Sequence, residues 1–116
     1  MPGEPCIFCD LASGKTGAPL LYQDDAVVAF SDIRPIAPTH ILIVPREHHP
    51  TLLDVGPENE ALLGRLLAVA AKIAKERLGD DPSCRVVINS GASAGQTVYH
   101  LHLHLLSGRH FAWPPG

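Results

Sequence analysis

Three histidines alternate with leucines near the end of the chain, at positions 100, 102 and 104. Successive side chains of a β-strand point to opposite faces, so the pattern predicts that His100, His102 and His104 share one face of a strand. Imidazole is the side chain whose unperturbed pKa lies near neutrality. The row therefore predicts a site that combines a nucleophile, a general acid and a hydrogen-bond donor to phosphate.

The histidine row is also compatible with two simpler roles. In the first, the strand is an ordinary amphipathic strand whose polar face consists of histidine. In the second, the His-x-His spacing supplies ligands for a metal ion. Acidic ligands near the row would favour a metal, but residues 85–110 contain no Asp or Glu. The composition of this segment thus weakens a metal site made by all three histidines.

A loop of small residues, 89–96, comes directly before the row. Gly91 and Gly95 leave backbone N–H groups open to close approach by an anion. Asn89, Gln96 and Thr97 add uncharged side-chain donors. The segment is predicted to bind phosphate, with a flexible hairpin loop as the plain alternative.

The elements that position these residues follow from periodicity and turn signals. Residues 57–78 predict the one long helix, because apolar residues recur there at spacings of three and four. These are Leu63, Leu66, Leu67, Ala70, Ile73 and Ala74. Five strands are predicted, over residues 20–23, 26–30, 41–44, 85–88 and 98–106. A single crossover helix disfavours a parallel sheet, so we expect an α+β fold with an antiparallel sheet.

Length and composition limit the classes of function. A chain of 116 residues predicts one domain. A net charge of −3 argues against a broad nucleic-acid-binding face and a polybasic membrane anchor. The first residues have neither a basic nor a long apolar segment, so no secretory signal is expected and the protein is predicted to be cytoplasmic. In a chain with no export signal, the Cys6-x-x-Cys9 spacing indicates a metal or redox site in preference to a structural disulfide. Cys84 is predicted to be a buried small apolar residue.

Several segments together resemble one known family. The sequence is similar to the histidine triad (HIT) superfamily, whose signature is His-φ-His-φ-His-φ-φ with φ apolar, and within it to the histidine triad nucleotide-binding proteins. The segments that carry the resemblance are Ala29-Phe30-Ser31-Asp32-Ile33, Ala37-Pro38-Thr39-His40, the strand that follows with Pro45-Arg46-Glu47-His48, Asn89-Ser90-Gly91, Gly95-Gln96-Thr97-Val98-Tyr99, the histidine row itself and Trp113-Pro114-Pro115-Gly116.

The resemblance implies a fold and an activity. The fold is a single HIT domain over residues 1–116, with a five-stranded antiparallel sheet, one long helix and a short N-terminal helix. Two copies form a homodimer with a ten-stranded sheet. The activity is hydrolysis of purine nucleoside 5′-monophosphoramidates through a nucleotidyl-histidine intermediate. The alternatives are a dinucleoside polyphosphate hydrolase and a nucleotide-binding interaction protein with incidental hydrolysis.

The resemblance also implies roles for individual residues. His102 is the nucleophile, His104 and His40 contact phosphate and assist proton transfer, and His100 supports the site. The nucleotide-binding residues are Phe30, Asp32, Ile33, Asn89, Gly95, Gln96, Thr97 and Trp113. Thr97 stands where serine is common in the family, and Ser107-Gly108 replaces Gly-Gly.

Members of bacterial type with Cys-x-x-Cys bind a structural zinc ion, which catalysis does not require. By resemblance its ligands are Cys6, Cys9, His48 and His100, with His49 as the alternative to His48.

Overall fold

The computed structural model describes residues 6–116. The first five residues, on which the expectation about a secretory signal partly rests, lie outside the described residues. Two helices are present, α1 (Ile7–Ala12) and α2 (Glu60–Arg77), and the latter follows a short 3₁₀ turn at Pro57–Asn59. The strands are β1 (Tyr22–Gln23), β2 (Val27–Ser31), β3 (Thr39–Pro45), β4 (Cys84–Val87) and β5 (Leu103–Ser107).

The strands form one antiparallel sheet in the order β1-β2-β3-β5-β4. The predicted α+β class, the five strands and the single long helix are therefore confirmed. β5 lies between β3 and β4, so His104, the last histidine of the row, is on an interior strand of the sheet. Among the described residues, no helix has the length and apolar character needed to cross a membrane.

The two faces of the sheet bury different clusters. Helix α2 covers one face, where Leu66, Val69 and Ile73 pack against Leu101, Leu103 and Leu105. The other face carries the histidines and packs against α1, whose Phe8 joins a smaller cluster with Phe30. The predicted separation of leucines from histidines is thus correct.

Two details of the prediction are wrong, and one residue of the apolar period lies outside the core. The last strand begins at Leu103 rather than Val98, because the preceding segment bonds to residues beyond the end of β3: the N–H of Leu101 donates to the carbonyl of His49 at 2.7 Å. Leu67 fits the apolar period of α2 but is 53 % exposed, because it lies beside the buried stripe and not in it. Cys84, predicted to be buried, is exposed at the start of the edge strand β4.

Asp24 fixes the turn between β1 and β2. One carboxylate oxygen accepts the N–H groups of Ala26 and Val27 at 2.7 and 2.8 Å, and the other accepts the hydroxyl of Tyr22 and the guanidinium of Arg65. Partial burial opposes ionisation, but these bonds outweigh it and hold the pKa of Asp24 below its usual range.

We therefore expect Asp24→Ala to lower the free energy of unfolding by about 2 kcal/mol at pH 7. A depressed pKa contributes stability that is fully present above the unfolded-state pKa of about 4, and this stability is lost progressively as the pH falls below that value toward the lower pKa of the folded state. Urea denaturation at pH 7 and pH 3 should show the difference shrinking in acid. Asp25→Ala, at the exposed neighbouring position, is the control and should change little.

Candidate active site

Strands β3 and β5, together with the residue just before β5, bring three histidines together. His104 on β5 is the register partner of Leu42, and His40 on β3 lies one diagonal step away, with the two rings 5.1 Å apart. The rings of His102 and His104 are 4.9 Å apart. Residues separated by more than sixty positions thus face one another across two hydrogen-bonded strands.

The proton of His102 is fixed by the backbone. Its Nδ1 lies 2.7 Å from the carbonyl oxygen of His100, which can only accept, so the proton is on Nδ1. Burial lowers the pKa of His102, despite this bond and the negative charge of Asp32. The neutral ring therefore carries its lone pair on Nε2, as a nucleophile requires.

A second chain of hydrogen bonds sets the tautomers of His40 and His104. The N–H of Ile36 donates to His40 Nδ1 at 3.2 Å, which places the proton of the neutral ring on Nε2. His40 Nε2 lies 2.9 Å from His104 Nδ1, so His104 accepts there and bears its own proton on Nε2. Burial lowers the pKa of both rings, that of His104 to about 4, which keeps them neutral at pH 7.

Asp32 lies beside this pair. Its Oδ2 is 3.3 Å from His40 Nε2, and its Oδ1 accepts the N–H of Arg34 at 2.9 Å. Asp32, His40 and His104 are close enough together to suggest a metal site. However, the N–H of Ile36 keeps the proton on His40 Nε2, so this nitrogen has no lone pair to offer a metal ion.

The nucleotide-binding residues predicted on either side of Asp32 differ in exposure. Phe30 is buried against Phe8, with ring centroids 5.4 Å apart, whereas the side chain of Ile33 is exposed. An exposed apolar side chain next to a carboxylate can contact a flat heterocycle. Trp113 is 83 % exposed in the single chain.

The loop before the row is held by one side chain. Gln96 is buried, accepts the N–H of Gly91 at 2.9 Å, and donates to the carbonyls of Pro50 and Val98. Gly91 and Gly95 have φ values of +94° and +97°, a conformation that favours glycine. The amide of Gln96 thus shapes the loop, while Asn89 is half-buried and Thr97 exposed at its ends.

Four possible metal ligands meet at the other end of the row. His100 Nδ1 lies 3.3 Å from Cys6 Sγ, 3.5 Å from Cys9 Sγ and 3.1 Å from His48 Nδ1. Cys9 Sγ is 3.4 Å from His48 Nδ1. Around a tetrahedral zinc ion, nitrogen and sulfur ligands lie about 3.5 Å apart and two nitrogens about 3.3 Å apart. The four side chains, with His48 and not His49, therefore fit such an ion.

The protonation of this cluster is also suited to a metal ion. His100 Nε2 lies 2.7 Å from the carbonyl oxygen of Pro45, so its proton is there and Nδ1 is free. Burial lowers the pKa of His100 to about 4. Burial and the neighbouring Cys6 raise the pKa of Cys9 to about 11, so a metal ion must displace a proton from that thiol.

The sequence did not predict two contributions to the site, one from backbone groups and one from helix α1. The carbonyls of Pro45 and His100 and the N–H of Ile36 set the histidine tautomers, and side-chain patterns contain no signal for them. Phe8 packs edge-on against His102 at 5.0 Å between ring centroids. Its position inside the Cys6-x-x-Cys9 segment is the one clue the sequence offered.

Comparison with known proteins agrees with the fold and with the family resemblance. The HIT domain family matches residues 14–111. The chain belongs to this family. It is 46 % identical over 106 residues to a purine nucleoside phosphoramidase of Escherichia coli, covering 91 % of this chain and 89 % of that protein.

Two solved structures are also similar to this member of the HIT family. A HIT family hydrolase from Legionella pneumophila superposes with a TM-score of 0.92 and 44 % identity, over 97 % of this chain and 100 % of that one. A zinc-bound histidine triad family protein from Mycobacterium smegmatis has a TM-score of 0.75 and 36 % identity, over 90 % of this chain and 75 % of that one.

Proposed function

We propose that this protein hydrolyses purine nucleoside 5′-monophosphoramidates. The observation that carries the proposal is the geometry of His102, whose Nε2 keeps a free lone pair because Nδ1–H is held by the carbonyl of His100. The similarity to a phosphoramidase that spans nearly all of the chain supports the substrate class.

In the proposed reaction, His102 Nε2 attacks the α-phosphorus and the bond from phosphorus to the amine nitrogen breaks. The amine leaves with the electron pair and takes up one proton, which comes from solvent and is passed on at His104 Nε2, because the neutral His104–His40 pair has no proton to lose without forming an imidazolate. Water then attacks the nucleotidyl-histidine, gives one proton back, and releases the nucleoside monophosphate and neutral His102. His104 Nε2–H and the backbone N–H groups of the 89–97 loop stabilise the charge on phosphate.

Turnover of adenosine 5′-monophosphoramidate, compared with diadenosine polyphosphates, tests this proposal. We expect kcat/KM for the phosphoramidate to be at least about 100-fold higher, a difference of about 3 kcal/mol in transition-state free energy. A preference for the polyphosphate would support a dinucleoside polyphosphate hydrolase. Tight AMP binding without turnover of either would indicate a nucleotide-binding interaction protein.

Asp32 is proposed to accept the ribose hydroxyls. Asp32→Ala should weaken AMP binding about tenfold, or about 1.4 kcal/mol, with little change in kcat. The chemical step is preserved because removing the carboxylate lowers the pKa of His40 further and leaves that ring neutral. Calorimetry with AMP and with its 2′,3′-dideoxy analogue checks the role, since an equal loss for both ligands would contradict it.

A homodimer is proposed through the free edge of β4. This strand pairs only with β5 in the described sheet, and Val86 on it is exposed, on the same face as the exposed Leu67 of α2. Pairing of two β4 edges would extend the sheet to ten strands and cover these side chains.

The tail is proposed to act across this dimer. Its exposed Trp113 would lie near the partner's leaving-group side, and the prolines reduce the entropy lost on docking. Deletion of residues 112–116 should keep the dimer, judged by light scattering, but change relative rates across a series of amine leaving groups. Unaltered relative rates would show that the tail has no such role.

The Cys6, Cys9, His48 and His100 group is proposed to hold a structural zinc ion. A closed site with four protein ligands does not activate water, so zinc would tie α1 to the end of β3 and to the histidine row. This connection would also fix the carbonyl of His100, which accepts a hydrogen bond from His102 Nδ1–H.

A further inference from the structure

Arg109 lies outside the histidine row and contacts the loop before β3. Its Nε–H donates to the carbonyl of Ile36 at 3.0 Å, and its guanidinium lies 4.3 Å from the centre of the Phe111 ring. The ring restrains the guanidinium by a cation–π contact. A side chain from the C-terminal segment is thereby bonded to the segment that precedes His40.

The bond reaches one residue whose other backbone group matters for the site. Ile36 accepts from Arg109 through its carbonyl and donates to His40 Nδ1 through its N–H. The side chain of Ile36 is exposed and does not anchor the loop by burial. The hydrogen bonds of its own backbone therefore help to hold its N–H in position.

A second contact joins the same two segments. Gly108 has a φ of +98°, and a Cβ built on it would lie 2.8 Å from Cβ of Pro38. This is too close for any side chain, so glycine lets the turn after β5 pack directly on the loop. Gly108 sets the distance between the segments, and Arg109 adds the directed hydrogen bond.

We propose that Arg109 is a positioning residue that sets the tautomers of His40 and His104 by holding the backbone of Ile36. With Ile36 in place, His40 Nε2–H donates to His104 Nδ1, and His104 presents Nε2–H to the phosphate or leaving group. Without the Arg109 bond, the N–H of Ile36 shifts and His40 Nδ1 can carry the ring proton. His40 Nε2 then no longer donates to His104 Nδ1, and His104 is no longer held with its own proton on Nε2. The expected change in kcat rests on the proposed function, whereas the expected change in which ring nitrogen carries the proton does not.

Arg109→Met and Arg85→Met form a matched pair of variants. Both arginines lie against Phe111, and Arg85 bonds the tail through the carbonyl of Ala112 at 2.9 Å. The described contacts of Arg85 do not include Ile36. An effect that acts through the tail or through net charge should therefore appear in both variants, and an effect on Ile36 only in Arg109→Met.

Long-range ¹H–¹⁵N spectra of the full-length protein report which ring nitrogen of each histidine carries a proton. We expect unprotonated Nδ1 and protonated Nε2 for His40 in the wild type and in Arg85→Met, and a mixture of tautomers in Arg109→Met. With adenosine phosphoramidate, Arg109→Met should lower kcat about tenfold with KM within about twofold, and Arg85→Met should change kcat less than about twofold.

A proton on His40 Nδ1 in the wild type would overturn the proposal without any variant. Wild-type tautomers in Arg109→Met, or an equal change in Arg85→Met, would also overturn it. If Arg109→Met does not fold, Arg109→Gln, which keeps a polar side chain without the guanidinium, decides by the same criteria. If the wild type lacks phosphoramidase activity, the proposed function fails while the spectra still decide the role of Arg109.

Discussion

Replacement of His102 by alanine is expected to lower kcat for adenosine phosphoramidate by about 10⁴-fold. The expectation follows from the fixed tautomer: His102 is the ring whose Nε2 lone pair is free, whereas His104 and His40 carry protons on Nε2. AMP should still bind, because Asp32 and the 89–97 loop remain. Steady-state kinetics and calorimetry with AMP measure the two effects separately.

His110→Ala is the matched control for this experiment. His110 follows β5, is exposed, and contacts Arg109 only through its carbonyl oxygen, which the substitution retains. Its removal should leave kcat and AMP affinity unchanged. Retention of a large part of the activity in His102→Ala would show that another group is the nucleophile.

Loss of the proposed zinc ion is expected to lower the melting temperature by about 10 °C, equivalent to about 3 kcal/mol. The reason is structural: Cys6 and Cys9 belong to the α1 segment, while His48 and His100 come from distant parts of the chain. Protein purified without chelator should contain one zinc per chain by metal analysis. Cys9→Ala should abolish zinc binding and show the same lower melting temperature before chelation as the wild type shows after it.

Cys84→Ala provides the control for thiol removal. Cys84 is exposed on β4 and does not belong to the cluster, so zinc content and melting temperature should stay as in the wild type. Because zinc must displace protons from thiols such as Cys9, its affinity should fall as the pH falls. Zinc near zero per chain, with an unchanged melting temperature after chelation, would contradict the assignment.

The sequence predicted most of the fold because its periodicities are strong. The alternation of leucine and histidine correctly separates the α2 face from the site, and the three-and-four spacing correctly predicts the long helix. The prediction from sequence fails where a tertiary contact overrides the local pattern. Leu101 has the alternation of a strand, but its N–H bonds to His49, so the segment before Leu103 leaves the sheet.

The sequence and the family resemblance predicted which histidines would lie together, but not which ring nitrogen of each carries the proton. The identities of His40, His102 and His104 are visible in the sequence, whereas their tautomers depend on Ile36 N–H and the carbonyl of His100. These backbone groups occur at every position, so no residue type marks them. The role of Arg109 could not be predicted for the same reason, because its partner is a backbone carbonyl 73 positions away.

The choice between His48 and His49 also required the structure. Both lie three or four residues beyond the end of β3 at Pro45, and spacing alone does not separate them. The structure places His48 Nδ1 3.4 Å from Cys9 Sγ, whereas the carbonyl of His49 binds the N–H of Leu101. These two adjacent residues therefore have different roles: the His48 side chain belongs to the group of possible metal ligands, and the His49 carbonyl accepts a backbone hydrogen bond from the segment before β5.

The most direct test of the account is to identify the covalent intermediate. Wild-type protein mixed with adenosine 5′-monophosphoramidate, quenched within one turnover and digested under alkaline conditions, can be analysed by peptide mass spectrometry. The account predicts an adenylyl group on His102 that disappears on a longer incubation. An adenylyl group on His40 or His104 in place of His102, or turnover without any adduct on the histidines, would contradict it.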